Sequence, residues 1–100
     1  DQVQAQIVSG VITGLTGALR NRITIRDGRA QETNFHQFEP LRLSQAPRIE
    51  VAIVASGGEP GGIGEVGTPL VAPALANAVA QLTGKRVRNL PFSAAGVAFV

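Results

Sequence analysis

Six of the chain's 12 glycines fall within one stretch, Ser56–Pro69. It reads Ser56-Gly57-Gly58-Glu59-Pro60-Gly61-Gly62-Ile63-Gly64-Glu65-Val66-Gly67-Thr68-Pro69. Glycine has no side chain to hold a neighbour off, so such a loop brings bare backbone close to something. An alternating apolar stretch leads into it and an amphipathic helical pattern leads out. Glu65 is the only acid in its second half.

The 100 residues make one domain, 1–100, large enough for a modest core. Branched and small apolar residues with 16% charge are a globular composition. The net charge of +2 comes mostly from arginine, with Lys85 the only lysine. No dense basic stripe with interleaved aromatics is present, so no nucleic-acid partner is expected. With no cysteine and one histidine, the chain supplies no disulfide, thiolate site, iron–sulfur ligand set or two-histidine metal site. No charged, apolar targeting segment is seen. These residues leave the compartment open. Asp1 without a preceding methionine suggests a fragment or a processed piece.

Helical spacing of Ile7, Val11, Leu15 and Ala18 predicts a helix over Gln2–Leu19. Gly10, Gly14 and Gly17 lie near that stripe and imply close approach by another backbone or a cofactor. Alternation around Asp27-Gly28 predicts an antiparallel hairpin, Arg22–Arg26 with Arg29–Thr33. Phe35 and Phe38 are expected to plug the core, and His36 between them reads as an exposed or hydrogen-bonded residue. Arg48–Ala55 predicts a strand with Ile49, Val51 and Ile53 on one face. Thr68 as N-cap and Pro69 as first helical residue begin a second helix, which Gly84 closes. Its apolar stripe is Leu70, Ala74, Leu75, Ala78, Val79 and Leu82. The tail Val87–Val100 is expected to be extended.

Three readings of the loop compete. Gly62, Gly64 and Gly67 match a dinucleotide fingerprint ahead of a helix. Against it, six residues separate the glycines from their strand, and no acid follows about twenty residues on to hold a ribose. The second reading is a plain glycine-rich turn, the default on these residues alone. The third is an active-site loop. A base needs a reachable proton and a fixed geometry, which flanking glycines and the Thr68-Pro69 exit allow.

The run Gly61-Gly62-Ile63-Gly64-Glu65-Val66-Gly67-Thr68-Pro69, followed by Ala72-Pro73-Ala74-Leu75-Ala76-Asn77-Ala78, resembles the C-terminal region of molybdenum hydroxylase large subunits. The branch is that of the isoquinoline 1-oxidoreductase β-subunit and aldehyde dehydrogenase, within the xanthine dehydrogenase superfamily. Ala5-Gln6-Ile7 with Gly10 and Gly14-Leu15, Asn34-Phe35-His36, Ala46–Val51 and Gly84–Pro91 resemble the same branch. Two positions depart from it. Val66 stands where the family usually has proline, and Ser9 where it has glycine.

The resemblance implies an enzyme that hydroxylates an aldehyde or N-heterocycle carbon with water-derived oxygen. It implies a molybdenum–pterin cytosine dinucleotide cofactor, and 2Fe-2S clusters on a separate small subunit. By position it makes Glu65 the catalytic base, sets Gln6 against the pterin, and makes Gly64 part of the backbone wall beside the metal. No protein metal ligand is needed, since the pterin holds the molybdenum. The expected fold is α+β, two helices packed on a small, mainly antiparallel sheet. It would be the C-terminal piece of a molybdopterin-binding domain. Alone it is expected to be inactive and to associate with itself or with the remainder of the large subunit. A non-catalytic assembly module is the further alternative.

Overall fold

A computed structural model describes residues 1–59 and 61–97. The order of elements is α1 (Gln2–Leu19), β1 (Ile25–Arg26), β2 (Arg29–Ala30), two 3-10 turns (Phe35–Gln37 and Leu43–Gln45), α2 (Thr68–Thr83) and a 3-10 turn at Phe92–Ala95. The α+β content is as expected, with two helices and one small antiparallel sheet. The helices pack on each other, however, and the sheet packs on neither. Both strands are exposed throughout, the apolar pair Ile25 and Ala30 included.

The strands pair Ile25 with Ala30 and Arg26 with Arg29, around Asp27 and Gly28. Both turn residues have positive φ, 50° and 73°, the geometry that matches the twist of two strands joined by two residues. Pairing stops after two residues on each side, short of the predicted Arg22–Arg26 and Arg29–Thr33. Beyond it, the Gln31 N–H still donates to the Thr24 carbonyl at 2.9 Å, while the Thr24 N–H donates to the Glu32 side chain, at Oε2, at 2.6 Å.

The core is small. Ala18, Val79 and Phe92 are buried together, with Leu19, Ala72, Leu75, Ala76, Val87 and Val97 packed around them. Phe92 is 0% exposed and is the largest fully buried side chain. The expected core aromatics lie outside: Phe35 is 91% exposed and Phe38 is 53% exposed. Both sit at a surface 3-10 turn, held by a capping box between Asn34 and Gln37. The tail therefore does not simply run extended. It folds into the Phe92–Ala95 turn and packs on α1. Residues 98–100 of the predicted extended tail lie outside the described residues.

Helix α1 has the predicted bounds. α2 begins at Thr68, with Gly67 in the cap position and Pro69 in the first turn. Thr68 does not cap it, because its hydroxyl is turned to α1. Gly84 ends α2 in the left-handed conformation, φ 71°, as a closing glycine should. The buried face of α2 is Val71 and Val79 with Leu75 half-buried, while Leu70 and Leu82 of the expected stripe are exposed. Arg48–Ala55 is not paired as a strand. Ile49 and Val51 are half-buried, but Ile53 is exposed. Alternation recorded a two-sided segment, yet no described strand lies beside it to complete a ladder.

Candidate active site

The Gly-Glu loop reaches α2 by crossing α1, and glycines on both sides make the crossing tight. A β-carbon on Gly67 would stand 3.3 Å from the Ile7 carbonyl oxygen. One on Gly10 would stand 3.4 Å from the Gly67 Cα. One on Gly14 would meet the Thr68 carbonyl oxygen at 2.6 Å and Val71 Cγ2 at 2.9 Å, distances real β-carbons do not show. Of the two partners expected for the α1 glycines, backbone is thus the one found at Gly10 and Gly14. Gly17 has nothing within 4 Å.

Two hydrogen bonds fasten the crossing. The Thr68 hydroxyl donates to the Gly10 carbonyl at 3.2 Å. The Thr68 N–H donates to the Glu65 carbonyl at 3.1 Å, closing a tight turn at the head of α2. Glu65 is therefore attached to α2 by its backbone and, through Thr68, to α1.

This places Glu65 in a cleft of about 460 Å³. Ser9, Gly10 and Thr13 of α1 form one wall, and Gly64 with Thr68 and Pro69 the other. Glu65 itself is exposed. The lining is glycine backbone, hydroxyl groups and the Pro69 ring around a single carboxylate. Such a surface can accept a proton and can hydrogen-bond a polar group lying against it. Gln6 does not line the cleft. It is exposed on α1 four and seven residues before Gly10 and Thr13, spacings that share one helix face.

The next residue faces elsewhere. Val66 lines a separate apolar groove of about 650 Å³ with Ile7, Val11, Leu70 and Ala74. Ile49 closes the groove from the unpaired segment. Glu65 and Val66 thus line two different concavities. The apolar stripes of the two helices show which residues can pack and not what space they enclose, so the groove itself was not legible in the sequence.

His36 is exposed and does not line the Glu65 cleft. Among the described residues, no group of three or more histidines and carboxylates is disposed to hold a metal ion. Nor is any helix long and apolar enough to cross a membrane. The dinucleotide reading loses its frame, since among the described residues no strand leads directly into the loop, and Gly67 is packed on α1.

No family model matches the chain, and no solved structure matches it. It is 41% identical over 91 residues to isoquinoline 1-oxidoreductase subunit beta of Brevundimonas diminuta, a match that covers 91% of this chain and 12% of that protein. It is 32% identical over 97 residues to the membrane-bound aldehyde dehydrogenase [pyrroloquinoline-quinone] of Gluconacetobacter polyoxogenes, covering 97% of this chain and 12% of the relative. The chain thus spans about one eighth of the length of these relatives. Over that span it is homologous to one segment of the isoquinoline 1-oxidoreductase and aldehyde dehydrogenase type of large subunit, the molybdenum hydroxylase branch that its loop and helix motifs resemble.

Proposed function

We propose that the chain is the segment of a molybdenum-dependent oxidoreductase that supplies the catalytic base, Glu65. The substrate class is an aldehyde or an N-heterocycle, hydroxylated at carbon with water-derived oxygen. One observation carries the reading. Glu65, the one carboxylate lining the cleft, stands between glycine backbone, hydroxyls and Pro69, at a turn fixed to both helices.

The donor set fits a group that brings its own metal ligands. The cleft has no sulfur or imidazole, and offers backbone at Gly64 and hydroxyls at Ser9 and Thr13. Gln6, exposed on the same helix face, has an amide that can pair with a pterin edge. When bound, a molybdenum–pterin cytosine dinucleotide would supply the two-electron chemistry and oxygen activation. A carboxylate oxygen of Glu65 accepts the proton released as the new carbon–oxygen bond forms. The bare backbone at Gly64 lets the reacting group come close. The 2Fe-2S clusters that take the electrons onward would lie on a separate subunit.

The rest of the large subunit is the expected partner of the exposed apolar groove. The chain has 8064 Å² of accessible surface, where a compact monomer of its mass would show about 5,400 Å². Its radius of gyration is 15.9 Å, against about 13 Å for a compact domain of this length. Surface on that scale suits a segment of a larger body, and the chain alone is expected to be inactive.

The test is Glu65→Gln in the full-length subunit. Turnover of aldehyde or heterocycle should fall by at least ~100-fold while molybdenum remains bound at the wild-type ratio. Normal turnover would sink the reading. Metal and cofactor content of the purified protein decides between molybdenum–pterin and the pyrroloquinoline quinone in the name of the second relative.

A further inference from the structure

We propose that Thr68 is a positioning residue for Glu65, acting through a latch on α1 for which Gly14 provides the space. The proposal rests on the reading of Glu65 as the base. It adds how the carboxylate is held.

Thr68 lies astride two turns of α1. Its hydroxyl reaches back to the Gly10 carbonyl at 3.2 Å. Its own carbonyl lies over Gly14, where a β-carbon would come within 2.6 Å. Gly10 and Gly14 are four residues apart, so they present one continuous strip of bare backbone. Thr68 rests on this strip, and Gly67 beside it approaches the Ile7 carbonyl. The Thr68 N–H then carries the position to the Glu65 carbonyl at 3.1 Å. The Glu65 side chain is exposed and has no hydrogen bond or ion pair among the described residues, so its aim depends on its backbone. That backbone is held by one hydrogen bond, from the amide N–H of a residue that is itself pinned at two points.

The arrangement explains why a helix would carry two glycines one turn apart at a cost in intrinsic stability. It also separates Thr68 from the N-cap role that its place at the head of α2 suggested. A capping hydroxyl would accept an N–H of its own helix. This one donates to a carbonyl of the other helix, 58 positions away.

The experiment compares Thr68→Val, Thr68→Ser and Gly14→Ala in the full-length subunit, each with and without Glu65→Gln. Thr68→Val should speed exchange of the Thr68 amide about fivefold, the loss expected for one net hydrogen bond. It should lower kcat by on the order of 10- to 100-fold with KM nearly unchanged, as for a misaimed group. Thr68→Ser should restore the slow exchange and most of the turnover. Gly14→Ala keeps the hydroxyl but displaces its carrier, and should reproduce the valine signature. In the Glu65→Gln background none of the three should lower the residual rate further, because the group being aimed is gone.

Wild-type exchange and kcat in Thr68→Val would overturn the latch while leaving the base reading intact. So would an unrestored Thr68→Ser, or equal losses with and without the Glu65 carboxylate. Normal turnover by Glu65→Gln alone would instead remove the base, and the exchange difference would still report whether Thr68 holds the turn.

Discussion

The Leu41 N–H donates to the hydroxyl of Thr16 at 3.1 Å, and the same hydroxyl donates to the Ile12 carbonyl at 2.8 Å. Thr16 is 4% exposed, so one buried hydroxyl ties the irregular middle of the chain to α1. Valine matches threonine in shape but offers no acceptor. Thr16→Val should leave the Leu41 amide unpaired and destabilise the fold by about 1–3 kcal/mol. Serine should recover most of that. Denaturant unfolding measures both, and an unchanged midpoint in the valine variant would show that the bond contributes nothing.

Two glycines on the same helix should respond with opposite signs. Gly14→Ala forces a β-carbon against Thr68 and Val71, and should cost about 1–3 kcal/mol despite alanine's better helix propensity. Gly17 has open space around it within α1, so Gly17→Ala should stabilise by about 0.5–1 kcal/mol. Thermal melts of the two variants side by side are sufficient. Equal shifts would mean that helix propensity, not packing, governs this face.

Among the aromatics, Phe92 and not Phe35 should carry stability. Phe92→Ala removes the largest fully buried side chain from a core of few members, and should cost about 3–5 kcal/mol. In so small a core that loss should abolish cooperative unfolding. Phe35→Ser removes an exposed ring and should change stability by no more than about 0.5 kcal/mol. The shape of the unfolding transition distinguishes the two.

The hairpin should loosen in acid. The Thr24 N–H hydrogen-bonds the Glu32 carboxylate and holds its pKa below the ordinary carboxylate value. A depressed folded-state pKa contributes stability above the unfolded value, lost as pH falls through the folded one. Exchange of the Thr24 amide, corrected for its intrinsic rate, should therefore accelerate below the usual carboxylate range. Glu32→Gln should flatten that dependence. A pH-independent protection in the parent protein would contradict it.

Several features were legible in the residues because they depend on local chemistry. The apolar period placed α1 over Gln2–Leu19 without help from the rest of the chain. Gly84 closed α2 through the left-handed conformation that glycine adopts at low cost. The loop with Glu65 stood out for its bare backbone, and Gly64 lines the same cleft as Glu65. The family resemblance was carried by the same run. The α1 glycines announced a close approach, although not what made it.

What the sequence alone left undecided lay between elements far apart in the chain. Phe35, Phe38 and Phe92 are one residue type, and only packing could show that Phe92 is buried with Ala18 of α1 and Val79 of α2 while Phe35 is exposed. Leu70 and Val71 are neighbours in one helix, yet one is exposed and the other buried, because α2 turns Val71 against Gly14 of α1. Thr68 looked like a cap by its place in the chain. Its hydroxyl turned to Gly10 because the glycines of α1 allowed backbone to approach within hydrogen-bonding reach. Local propensity therefore determined where helices and turns begin and end. Tertiary contact decided which faces are covered, and how the loop holds Glu65 over the cleft.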